Sequence, residues 1–216
     1  MTGPQPEVRW PAAQPVHPLE YWLSPELARV SPPETPSRLR ELADAQGTLA
    51  AAWSGAVGGG AFLALTGVFI TALSGSPAWV IALGLAGAAL SALGMASWRR
   101  VRRTLPDTGQ KLATRGPGSV RGGIIAFVVM DAIVGGIFII GSPSASANGT
   151  AGTVLGAYLL VTALLTACIL VPSVVLGRAR TSFRQRIQTD PGLRAAVERD
   201  LATWRDPYGN AGYGPL

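Results

Sequence analysis

Four long apolar runs, at 49–73, 79–98, 122–141 and 152–176, contain one charged residue between them, Asp131. A helix of about 20 apolar residues crosses a hydrocarbon core about 30 Å thick. Inside lipid every backbone N–H and C=O must find its partner within the protein, and a helix does this segment by segment. The chain is therefore expected to be an all-α integral membrane protein with four transmembrane helices, arranged as two antiparallel hairpins. Three regions follow from this: a Pro-rich N-terminal tail with short helices (1–48), the four-helix transmembrane domain (49–176), and a basic C-terminal tail (177–216).

Charged residues make up 14% of the 216 residues, against about 25% in ordinary soluble domains. They sit in blocks between the apolar runs. The net charge of +6 lies in segments that border the spans, where a positive-inside bias explains it without nucleic acid. All the Arg residues and Lys111 fall in the two tails and the 98–121 connector, so these are expected to be cytoplasmic, with the short loops near 74–77 and 142–151 outside. Lys111 is the only lysine among 18 basic residues. Together with the many Ala, Gly and Pro, this composition points to a bacterial source and to its inner membrane.

The single cysteine, Cys168, lies within an apolar run, and the single histidine, His17, in the N-terminal tail. One of each, far apart, leaves a zinc site without ligands and a Cys/His nucleophile without a partner. No cofactor, no metal and no catalytic residue is expected. The first apolar run begins near residue 49, too far in for a cleaved signal peptide.

Residues 1–18 carry frequent prolines and no apolar periodicity, so they read as extended or disordered. Ser24-Pro25-Glu26 carries the signals of a helix start: a capping hydroxyl, a proline at the first position and an acid near the positive dipole end. Thr35-Pro36 is a second start signal, leading towards the first span. In the C-terminal tail, Asp190-Pro191 should open an amphipathic helix at about 191–204, with Leu193, Val197, Leu201 and Trp204 on one face. With Trp22 and Leu27 in the N-terminal tail, these are the candidate partner-binding residues. The last residues, DPYGNAGYGPL, read as disordered.

Glycines at 55, 58, 59 and 60 in the first span and the row Gly84, Ala88, Ala92 in the second suit close helix packing. Trp79 and Trp98 bracket the second span about 28 Å apart, fitting two membrane interfaces. The same tripeptide, Gly-Ser-Pro, follows the first span (75–77) and the third (141–143), a faint sign of a duplicated hairpin. Pro172 should disturb the fourth span by freeing the carbonyl of Cys168.

Asp131 is the sharpest chemical feature. A charged side chain at a helix centre costs about 2.5–3.5 kcal/mol on insertion scales. Tyr158, Thr162 and Thr166 lie on one face of the fourth span at similar depth and are the nearest polar candidates to offset that cost. Arg99, Arg100, Arg102 and Arg103, just beyond the second span, form an interfacial basic cluster suited to membrane lipid head groups. With so few polar groups in the spans, the chain is expected to be non-enzymatic: an accessory or scaffolding subunit that assembles with another membrane protein or complex. The alternative is a small proton- or ion-coupled transporter or channel using Asp131.

Overall fold

The computed structural model describes residues 17–32, 35–106, 119–204 and 212–216. In chain order these form α1 (Leu19–Trp22), α2 (Pro25–Val30), α3 (Arg38–Ser74), α4 (Ala78–Arg103), α5 (Val120–Ala147), α6 (Ala151–Leu165), a π turn (Thr166–Leu170), α7 (Val171–Gly177), α8 (Ala179–Thr189) and α9 (Pro191–Thr203). Among the described residues the fold is all-helical apart from one isolated parallel bridge, Ser37 with Gly212. Four helical stretches are long and apolar enough to cross a membrane: α3, α4, α5, and the continuous run from α6 through α7.

No break in the helix marks the expected tail-to-span boundary near residue 48. α3 is one helix of 37 residues, about 55 Å long, and so about 25 Å longer than a hydrocarbon core. Its N-cap is Ser37, whose side chain accepts from the Arg40 N–H, two residues after the Thr35 start signal. Gly75, at φ 69°, closes its far end, a left-handed cap that favours glycine. α4 then returns along α3. Gly60 of α3 meets Gly87 and Ser91 of α4 so closely that a Cβ at either glycine would collide with the facing backbone. Ser91 Oγ donates across this contact to the Val57 carbonyl, at 3.2 Å. The packing row on α4 is thus Gly87, Ser91 and Gly94, not the anticipated Gly84, Ala88 and Ala92. Gly84 has open space where a Cβ would stand, and Ala88 and Ala92 are exposed.

α5 packs on α6 and α7, and α3 packs on the α6–α7 run. No comparable packing joins α4 to α5 or to α6 among the described residues. The spans therefore form an open row in the order α4, α3, α6–α7, α5, with no central cavity enclosed by all four.

Two prolines sit inside spans. α5 continues through Pro143 to Ala147, so most of the anticipated 142–151 loop is helix. Pro143 cannot donate to the Ile139 carbonyl, and Ser142 Oγ donates to it instead, at 2.8 Å. The two Gly-Ser-Pro tripeptides consequently do different things, one making a turn and one lying within a helix, which removes the apparent repeat. Before Pro172 the chain inserts the π turn, in which the Val171 N–H reaches back five residues to Thr166.

The most deeply buried side chains lie outside the spans. Leu19 and Leu23, the α3 residues Leu39 and Leu42, Phe183 and Ile187 of α8, and Leu193 and Val197 of α9 share one core with Tyr213 and Leu216. Residues 205–211 and 1–16 are outside the described residues, but 212–216 are ordered into this core, contrary to the disordered reading of the final segment. The physical reason is the start of α3. Its first N–H groups have no helical partner, and the carbonyls of Gly212 and Tyr213 accept from Arg38 and Leu39 at 3.1 and 3.0 Å. Ser37 Oγ donates to the Pro215 carbonyl, and the Tyr213 hydroxyl to the Val197 carbonyl, both at 2.9 Å. The Leu216 N–H donates to the Trp22 carbonyl. Arg38 clamps Asp200 with two bonds of 3.1 Å.

Burial, and next to it the charge of Asp200, pushes the Tyr213 hydroxyl above its ordinary range. The folded state thus holds that proton more tightly than the unfolded chain. Stability from this group is complete below about pH 10, the ordinary tyrosine value, and is lost as pH rises beyond it. Tyr213→Ala should cost about 3–5 kcal/mol, read as a fall in melting temperature in detergent. Tyr213→Phe should flatten the alkaline part of the stability profile. A Tyr213→Ala variant that melts with wild type would show that residues 212–216 do not belong to the core.

Candidate functional site

Asp131 sits near the middle of α5, half-buried against α6. Both carboxylate oxygens are engaged. Thr162 Oγ1 donates to Oδ1 at 2.7 Å, and the Tyr158 hydroxyl donates to Oδ2 at 3.0 Å. Tyr158 and Thr162 are four residues apart on α6, so one helix face presents two donors to one carboxylate. Gly135, one turn beyond Asp131 on α5, leaves space where a Cβ would lie 3.6 Å from the Tyr158 oxygen. The Phe138 ring tilts against the Tyr158 ring with centroids 5.5 Å apart. Thr166 does not join the group. Its hydroxyl donates to the Thr162 carbonyl at 2.8 Å, at the start of the π turn.

Chemically, this is a carboxylate held by two neutral hydroxyls. Tyr158 also borders an apolar cavity of about 310 Å³ between α5 and α6, lined by Phe138, Ile139 and Leu155 among others. Among the described residues no cluster of His, Cys, Asp or Glu is arranged to hold a metal.

The other anticipated sites are distributed as follows. Leu193 and Val197 are 1% and 0% exposed, and Trp22, Leu201 and Trp204 pack against the same core. These five are spent within the chain, so they do not form an open partner surface. The tails cover one another because α1, the start of α3, α8 and α9 converge at one end of the spans. Leu27 is half-buried on α2, which buries no residue of its own. Arg99, Arg100 and Arg103 are exposed, whereas Arg102 is half-buried with its guanidinium 5.2 Å from the Trp98 ring.

Sequence reasoning missed Gln46, Phe183 and Ile187. Gln46 is fully buried, and its amide donates to the Val101 and Thr104 carbonyls at 2.8 and 2.9 Å. It thereby closes the C-terminal end of α4, where helix carbonyls lack partners. Nothing in its sequence context marks that role. Ala179, Phe183 and Ile187 do show a signal: they fall four residues apart in an otherwise basic stretch.

Comparison with protein-family models, with curated proteins and with solved structures finds no match to this chain, so the functional reading rests on its own geometry.

Asp131→Asn keeps an acceptor for one hydroxyl and offers a donor to the other, so it should fold like wild type. Asp131→Leu should weaken the α5–α6 contact. A double-mutant cycle of Asp131→Ala with Thr162→Val should give a coupling of about 0.6–1.7 kcal/mol, the range for hydrogen bonds between membrane helices. Zero coupling in a denaturant titration would mean that the contact does not hold the helices together.

Proposed function

We propose that this chain is a non-enzymatic membrane protein, an accessory or scaffolding subunit of a larger complex in a bacterial inner membrane. The observation that carries this reading is the open row of spans. Among the described residues, α4 packs extensively on no span but α3, and α5 on none but the α6–α7 run. Each outer helix keeps a free flank, and that of α4 bears the exposed Ala88 and Ala92 beside Gly84. Small residues on a free flank let another helix approach closely. Partner contact is therefore assigned to the spans and not to α9, whose apolar face is already covered. Asp131 supports the same reading, since both its oxygens are used within the chain.

In this reading both tails and the end of α4 face the cytoplasm. Arg99, Arg100, Arg102 and Arg103 lie at the same end of the row as the basic α8, in line with the positive-inside bias. A transport role around Asp131 has one observation in its favour, the cavity beside Tyr158. The lining of that cavity is almost wholly apolar, which gives an ion no succession of ligands.

Purification from native membranes in mild detergent should recover the chain with another membrane protein. A clean monomer under those conditions would refute the assembly. In a Cys168→Ala background, Ser146→Cys, exposed at the end of α5, should react with an impermeant thiol reagent from outside. Reaction only from the cytoplasmic side would overturn the topology. Equal flux through liposomes with wild type and Asp131→Asn would dispose of proton coupling.

A further inference from the structure

A second cavity, of about 240 Å³, lies where α4, α7 and α8 meet the upper part of α3. By a comparable measure one water needs about 10–15 Å³, so this space admits a polar group far larger than a water. Its wall carries Arg102 and Trp98 from α4 and Arg178, Ser182 and Arg186 from α8 and its N-cap. Among the described residues no carboxylate lines it. Asp44 is paired with Arg180 at 2.7 and 2.9 Å, and Asp190 caps α9 while its charge also acts on Arg186. Arg186 spends two donors on the Ser182 and Arg102 carbonyls. Burial, and next the charge of Arg102, pushes its guanidinium down to about 10. Three cations thus share one cavity, and none of the described residues on its wall carries a counter-charge.

Trp98 lines the cavity as well, with the Arg102 guanidinium 5.2 Å from its ring. The depth is also informative. Arg178 directly follows the last membrane-spanning residue, Gly177, and Trp98 is the indole at the matching end of α4. This is the level of lipid head groups.

We propose that this cavity binds the phosphate of an anionic membrane lipid, with Arg102, Arg178 and Arg186 as its donors. The shared chemistry is a phosphate group, and the depth of the cavity selects a lipid as its source. The site needs the spans to lie in a bilayer, but it does not depend on the proposed assembly.

The test is native mass spectrometry of the full chain in detergent with phosphatidylglycerol or phosphatidylcholine, alongside melting with inorganic phosphate alone. Phosphatidylglycerol should be retained at least tenfold more tightly than phosphatidylcholine. Arg178→Gln and Arg102→Gln should each weaken it about fivefold, the worth of one interfacial cation. Arg121→Gln, an exposed charge at the head of α5, should not. Equal retention of the two lipids, or an Arg121→Gln effect as large as that of Arg178→Gln, would each overturn the proposal. So would stabilisation by inorganic phosphate equal to that by phosphatidylglycerol.

Discussion

Polar groups that water cannot reach must be satisfied by the chain itself, and nearly every departure from simple helices here answers that requirement. The open N–H groups of α3 are met by the carbonyls of Gly212 and Tyr213. Two of the last carbonyls of α4 are met by Gln46 and Arg186. Ser142 covers the carbonyl that Pro143 leaves free, and the π turn absorbs Pro172. Within the spans, Asp131 is met by Tyr158 and Thr162. In a chain that invests its polar side chains in closing its own backbone, few remain for reaction chemistry.

The same requirement explains why the end where the tails meet, and not the span region, is the best-packed part. Lipid-facing flanks need no burial, because lipid tails are as apolar as the side chains that meet them. Outside the bilayer the hydrophobic effect returns, and apolar faces on α8, α9 and the first turns of α3 must be covered. They cover each other around Phe183, Leu39 and Val197. α3 connects the two environments as one continuous helix.

Much of this was legible in the residues. Apolar run length located the four spans, Asp190-Pro191 marked the start of α9, and four-residue spacing placed Tyr158 and Thr162 level with Asp131. What stayed hidden depends on distant parts of the chain. DPYGNAGYGPL has the composition of a loose tail, yet its last residues are held by the ends of α3 and α1, which only the folded chain brings near. Pro143 reads as a helix end because the compensating bond from Ser142 is not a propensity. The row Gly84, Ala88, Ala92 and the row Gly87, Ser91, Gly94 are equally small, and only the register of α3 against α4 decides which is buried.

The central claim is that residues 212–216 close on α1 and the start of α3. Amide hydrogen exchange of the intact protein in nanodiscs tests it most directly. Peptides covering residues 37–42 and 212–216 should be protected together, exchanging orders of magnitude more slowly than an unfolded chain. Exchange of both at unprotected rates, while the spans stay protected, would contradict the account.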